Sequence, residues 1–166
     1  MTSKELIRIN LDSYFAMTLQ MVEDMKESAT VFPTPNGGCH ALWLLGHLAY
    51  SEGTIIQQFM LGGENPCADW KDIFGDGSEP ESSADKYPAF DNVMASLHEV
   101  HQKNMELFES LSEEDLNSAS KGCPPEYMPF FGTYRMCFNT LAGHYLMHRG
   151  QFADARRAAG LQRMGP

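Results

Sequence analysis

Apolar residues recur at helical steps in four long stretches of the chain, and few segments alternate as strands do. In the first, roughly residues 3–27, Ile7, Leu11, Tyr14, Met21 and Met25 follow one another at steps of three, four or seven. That is one face of a 3.6-residue period, with Ser3 as its expected N-cap. "PTPNGG" at 33–38 then interrupts the chain. The second stretch, about 39–61, is apolar nearly all round in its first half, which predicts a largely buried helix that stops at Gly62-Gly63. A third, about 89–111, carries Phe90, Val93, Leu97, Val100, Leu107 and Leu111 on one side. The fourth runs from about 133 to 159, with Thr133 as N-cap and Gly160 as its stop.

The segments between them are uneven. Residues 62–88 are rich in Gly, Pro, Ser and Asp; so long a connection predicts a lid or a crossing segment, with "CADWKDIF" as a short helix inside it. "LSEEDL" at 111–116 suits a short capped turn, and 117–132 is a Pro/Gly-rich connection. Four helices of this length, each roughly 35–40 Å, predict an all-α chain: a single domain over 1–166 built as a four-helix bundle with long crossing connections. Those connections free the helices from a simple up-down-up-down order.

Composition narrows the function classes. The 166 residues are 43% apolar and 20% charged, as expected of a globular protein. A formal net charge of −10 and the lack of a basic run argue against nucleic acid and against an anionic membrane surface. No uninterrupted apolar window approaches a membrane span, and the first fifteen residues lack the apolar region of a signal peptide. A cytoplasmic location is expected. Cys39, Cys67, Cys123 and Cys137 show no CxxC spacing and are read as reduced thiols.

The chemistry lies in "LAGHYLMHRGQ", 141–151. The inward stripe of the fourth helix reads Tyr134, Cys137, Leu141, His144, His148, Phe152, Ala155, Ala159, so both histidines sit on the core face. Imidazoles four residues apart are able to converge on one metal ion; the alternative is a pair of satisfied core histidines, at a desolvation cost incurred twice. No Glu follows the first His, so the HExxH metalloprotease pattern is not matched. His47, in the apolar "LWLLGHLAYSEG", offers a third imidazole. Three ligands leave coordination positions open, the pattern of a reactive site.

The pairing of "ALWLLGHLAYSEG" with "LAGHYLMHRGQFADARRAAG" resembles the DinB-like superfamily, which includes metal-dependent hydrolases and bacillithiol- and mycothiol-linked transferases. The family has one His in a GHL-like context on its second helix and an HxxxHRGQ-like signature on its fourth, matched here by His47, His144 and His148, then Arg149, Gly150 and Gln151. The resemblance implies a bundle with unusual connections, a nickel or zinc site of three histidines facing a pocket, and often a homodimer. It fixes no reaction, since members include thiol S-transferases and an isomerase.

Other polar residues have blander explanations. His40 is expected to start the second helix, and His98 and His101 to lie on a solvated face, with His101 the next candidate ligand because 97, 101, 104 and 108 form a stripe that also turns Asn104 inward. Glu52, five residues after His47, is either exposed or a hydrogen-bond partner or general base for an imidazole. Gln151 either partners His148 or fixes the helix against a neighbour, and Arg149 either pairs with an anionic substrate or makes a surface or dimer contact. Trp43, Trp70, Tyr145 and the methionines are read as core. The expectation is a zinc- or nickel-binding enzyme that activates a thiol or water, transferring a low-molecular-weight thiol or hydrolysing a small-molecule substrate. The alternative is a non-catalytic metal- or small-molecule-binding bundle.

Overall fold

A computed structural model describes residues 1–35 and 37–164. Among the described residues six α-helices follow in chain order: α1 (Ser3–Gln20), α2 (Ala41–Glu52), α3 (Lys71–Phe74), α4 (Phe90–Ser110), α5 (Met128–Phe131) and α6 (Tyr134–Ala158). Among the described residues there are no strands, only two isolated bridges, so the all-α expectation holds. Four of the helices are long; α3 and α5 are single turns in the connections.

Local chemistry sets the helix ends. Thr2, not Ser3, caps α1: its hydroxyl accepts from the Glu5 amide while the Glu5 carboxylate accepts from the Thr2 amide. Ser3 instead donates to Glu113, tying the start of α1 to the chain beyond α4. The first helix also ends earlier than its apolar period suggests. Met21, Val22 and Met25 are buried, but in successive turns that lead to Ala29, whose carbonyl accepts from the Leu42 amide at 2.8 Å. The Met21 carbonyl left free at this end accepts from the buried guanidinium of Arg156, which also pairs with Asp24. Thr133 caps α6 as expected.

α2 continues directly into a π-helix over Gly53–Met60, invisible to a periodicity argument because its apolar spacing differs little from that of an α-helix. The side-chain amide of Asn65 donates to the Tyr50 carbonyl and the Thr54 hydroxyl, each at 2.9 Å, and its oxygen accepts from the Cys67 amide. A Cβ at Gly53 would overlap the Asn65 side chain, so glycine is required where Asn65 closes the widened turn. At the far end the amides of Lys121 and Gly122 donate to the carbonyls of Met60 and Phe59.

α1 packs along α6, and α2 packs along both α4 and α6. Lys4 and Arg8 reach Glu109 near the end of α4, while Phe15 lies on His101 in its middle, so α1 and α4 run antiparallel. Glu52 meets His101 and Asn104, and Leu42 shares a surface depression with Phe90, so α2 and α4 run parallel. Parallel neighbours require a crossover, and residues 62–88 supply it. Asn65, Cys67 and Phe74 of this segment are buried, which makes it a crossing strap packed on α2. The apolar centre includes Leu11, Leu44, Leu45, Leu48, Phe108, Phe138 and Phe152, all fully buried.

Candidate metal centre

The second helix brings His47 to the middle of the molecule with its surroundings already apolar: Ala41 through Ala49 are all buried. Trp43, one turn earlier, stacks on the imidazole with ring centroids 4.8 Å apart and 8° between the planes, and is itself held by its indole N–H donating to the Ser78 hydroxyl. On the other edge, His47 Nδ1 donates to the backbone carbonyl of Phe74 at 2.8 Å. That assignment of the proton leaves Nε2 as the lone-pair nitrogen, with the Ser51 hydroxyl 3.4 Å away.

The Phe74 carbonyl reaches His47 because residue 46 is glycine. The Phe74 ring lies flat against α2 where a Cβ would be, wedged between Trp70 and Tyr87. The "GH" dipeptide thus does two jobs: Gly46 admits the strap, and His47 takes its carbonyl.

Facing it across the core, α6 presents His144 and His148 one turn apart, as the stripe arithmetic predicts. Their Nε2 atoms lie 2.9 Å from each other, and their ring centroids are 5.3 and 5.0 Å from that of His47. His148 Nδ1 is bound by the side-chain oxygen of Gln151, so Gln151 stands where the sequence suggested, and His148, like His47, is left with Nε2 as its inward nitrogen. Ligand nitrogens of all three histidines fall within 4.8 Å of one another. His47 and His148 are buried, and His144 is half-buried.

This arrangement fits a divalent ion. Two imidazoles on one ion, at about 2.0–2.1 Å each, place their nitrogens about 3 Å apart, as the two Nε2 atoms are here. His144 Nδ1 is buried with no hydrogen-bond partner. Burial drives the His144 pKa down to about 3, helped by the charges that His148 and His47 would carry. Burial likewise brings His148 to about 4, and the nearby charge of His47 adds to it, while Gln151 and Asp76 act in the opposite direction. His47 is lowered by burial against the Phe74 hydrogen bond and the Asp76 charge. All three are therefore neutral near pH 7, the protonation state that metal ligation requires.

Glu52 does not join this group. At i+5 it points away from His47 into the interior between α2, α4 and α6, so of the readings open to it the exposed one does not hold. Glu52 is fully buried and accepts from the Tyr145 hydroxyl, from His101 Nδ1 at 3.2 Å and from Asn104 Nδ2 at 3.3 Å. His101 is buried here too, stacked on Phe15, and not on a solvated face; only His98 is exposed. His40 caps α2, its Nδ1 accepting from the Trp43 amide and its Nε2 donating to the Glu81 carbonyl. Trp43 and Tyr145 are buried, Trp70 only half so, and Met17, Met128 and Met147 are exposed despite the core reading of the methionines. Arg149 is half-buried, with its Nε unpartnered. All four cysteines are free.

A cavity of about 140 Å³ opens beside the three histidines, with His144 in its wall. The π-helix contributes Thr54, Ile55 and Phe59, the strap Asp76, and the connection before α6 contributes Tyr127 and Phe131. Sequence reasoning passed over these residues because they come from three separate segments. Only Tyr127 and Phe131 carried a signal, as aromatic residues in a Pro/Gly-rich connection where no core stripe accounts for them.

No described helix is long and apolar enough to cross a membrane. A comparison with curated proteins finds no significant match. The family model of the DinB superfamily, however, matches residues 11–152, from the middle of α1 to just beyond His148 and Gln151. The match takes in both helices of the histidine cluster and the strap between them, and the chain belongs to the DinB superfamily.

Proposed function

We propose that this chain is a metal-dependent enzyme in which His47, His144 and His148 hold one divalent ion, zinc or nickel, next to a small substrate cavity. The observation that carries the reading is the convergence of three neutral imidazoles on one point, each held by a helix, with His144 also forming part of the wall of that cavity. A bound ion of this kind lowers the pKa of a thiol or water in its open position. The chain's own residues do the rest. The Phe74 carbonyl and Trp43 fix the plane of His47, Gln151 fixes His148, and the aromatic wall of Phe59, Tyr127 and Phe131 limits water on the substrate side. Ser51, beside His47, presents a hydroxyl to whatever occupies the open side.

Of the two reactions, thiol transfer with a low-molecular-weight thiol is preferred over hydrolysis, on the likeness to thiol S-transferases of the superfamily. The free cysteines fit a reducing, cytoplasmic setting. Exposed apolar side chains on the neighbouring helices α1 and α6, Leu6, Ile9 and Met17 with Leu146 and Met147, support a homodimer. The test is thiol consumption in the presence of a panel of electrophiles, with and without chelator. Chelator-sensitive consumption is expected; chelator-sensitive ester hydrolysis instead would assign a hydrolase. Tight metal binding with no turnover of either kind would leave a non-catalytic metal-binding protein.

A further inference from the structure

A hydroxyl inside a helix has the carbonyl four residues back as its ready acceptor. Thr18 uses it, donating to the Tyr14 carbonyl at 2.7 Å, and so does Thr54, donating to the Tyr50 carbonyl at 3.1 Å. Ser51 does not. Among the described residues, the partner of its hydroxyl is Nε2 of His47, at 3.4 Å. His47 carries its ring proton on Nδ1, where the Phe74 carbonyl accepts it, so Nε2 holds the lone pair and Ser51 is the donor. Nε2 is also the nitrogen that His47 offers to an ion. Ligation therefore removes the acceptor of the Ser51 hydroxyl. Ser51 is half-buried and lines the same cavity as His144, so a freed hydroxyl stands at the edge between the histidine cluster and the cavity. The other aliphatic hydroxyls of the lining are already committed, Thr54 to Tyr50 and Asn65, and Thr140 to the Phe130 carbonyl.

We propose that Ser51 exchanges one partner for another when His47 ligates an ion: its hydroxyl leaves Nε2 and donates to the anion held on the open side of the three histidines. That anion is a thiolate, formed when the S–H bond of a thiol breaks and the proton passes to solvent, or a hydroxide formed from water in the same way. A donor at this place stabilises the charged nucleophile over its protonated form. The inference rests on the proposed ligation of one ion by His47, His144 and His148.

Full-length protein loaded with cobalt supplies the assay, since a thiolate on cobalt gives a charge-transfer absorption and an imidazole shifts the visible bands. 2-Mercaptoethanol and imidazole are titrated into wild type, Ser51→Ala and Ser51→Thr. A bound thiolate accepts a hydrogen bond, whereas a bound imidazole has its one lone pair on the ion and accepts none. Ser51→Ala should therefore weaken 2-mercaptoethanol about three- to tenfold, the range of one net hydrogen bond, and leave imidazole unchanged. Ser51→Thr keeps the hydroxyl and should retain the thiol affinity. The metal affinity of Ser51→Ala, from chelator competition, should not fall, because the hydroxyl competes with the ion for Nε2. Equal thiol affinity in wild type and Ser51→Ala would overturn the proposal and return the hydroxyl to its own helix, as in Thr18 and Thr54. Equal losses for both probes would also overturn it, leaving Ser51 a residue of the site's shape alone. Wild-type protein that takes up no cobalt would overturn the metal reading instead.

Discussion

Gly46→Ala tests how the strap positions His47. A Cβ at residue 46 would overlap the Phe74 ring, which must retreat by roughly 1 Å to reach an ordinary carbon contact of about 3.5 Å. The ring has no free direction, since Phe74 is fully buried between Trp70 and Tyr87. The backbone of the strap moves instead, and the 2.8 Å bond from His47 Nδ1 to the Phe74 carbonyl stretches beyond hydrogen-bonding range. Loss of such a partner typically lowers metal affinity by about 10–100-fold, or about 1.4–2.7 kcal/mol. Overpacking costs about 1–3 kcal/mol of folding stability, offset by about 1 kcal/mol of helix propensity gained on replacing glycine. Zinc affinity by competition with a chromogenic chelator, and urea unfolding of the metal-free protein, measure the two separately. The double variant Gly46→Ala/Phe74→Leu relieves the clash and should recover part of the affinity. A Gly46→Ala protein that is more stable and binds zinc as tightly as wild type would refute the strap argument.

Gln151→Leu removes the acceptor at His148 Nδ1 from an exposed residue, so zinc affinity should fall about 10–100-fold in the same competition assay while the unfolding midpoint stays put. Glu52→Ala should do the reverse: with Tyr145, His101 and Asn104 stranded in the interior, urea unfolding should show a loss of about 3–5 kcal/mol, while the folded fraction keeps its metal stoichiometry. A fall in metal content without a fall in stability would instead place Glu52 at the metal. The pH dependence follows from folded-state values of about 3 for His144 and about 4 for His148, below the 6.5 of an unfolded histidine. Between those values the unfolded chain binds more protons, so the metal-free protein should lose stability as pH falls from about 6.5 towards 4, by at most ~1.4 kcal/mol per pH unit for each histidine. Thermal melts across that range should show a shallower dependence in His148→Ala; an identical slope would contradict the burial argument.

The histidine pair was legible in the sequence because α6 is regular: over one turn the 3.6-residue period leaves no ambiguity about which face His144 and His148 share. His47 was legible from the apolar run around it. Glu52 was not, because the rotation that turns it from His47 is fixed by sequence, whereas what lies on that side is fixed by the placement of α4. The same holds for His101, whose neighbours Gln102 and Glu99 suggest solvent although Phe15 of α1 covers its ring. The partner of His47 is a backbone carbonyl, which carries no side-chain signature; only the Gly46 before it hints that something approaches closely. The π-helix and the early end of α1 escaped notice for a common reason: apolar spacing reports which residues are buried, and Val22, Met25, Ile55 and Ile56 are buried, but not which hydrogen-bond pattern carries them inward.

The central claim is that His47, His144 and His148 share one ion. Elemental analysis of protein purified without a polyhistidine tag, loaded with zinc or nickel and desalted, tests it most directly. The wild-type chain should retain about one ion per chain, and each of His47→Ala, His144→Ala and His148→Ala should lose it while keeping its helical circular dichroism. A wild-type chain that retains none, or a His144→Ala chain that retains the full complement, would contradict the account.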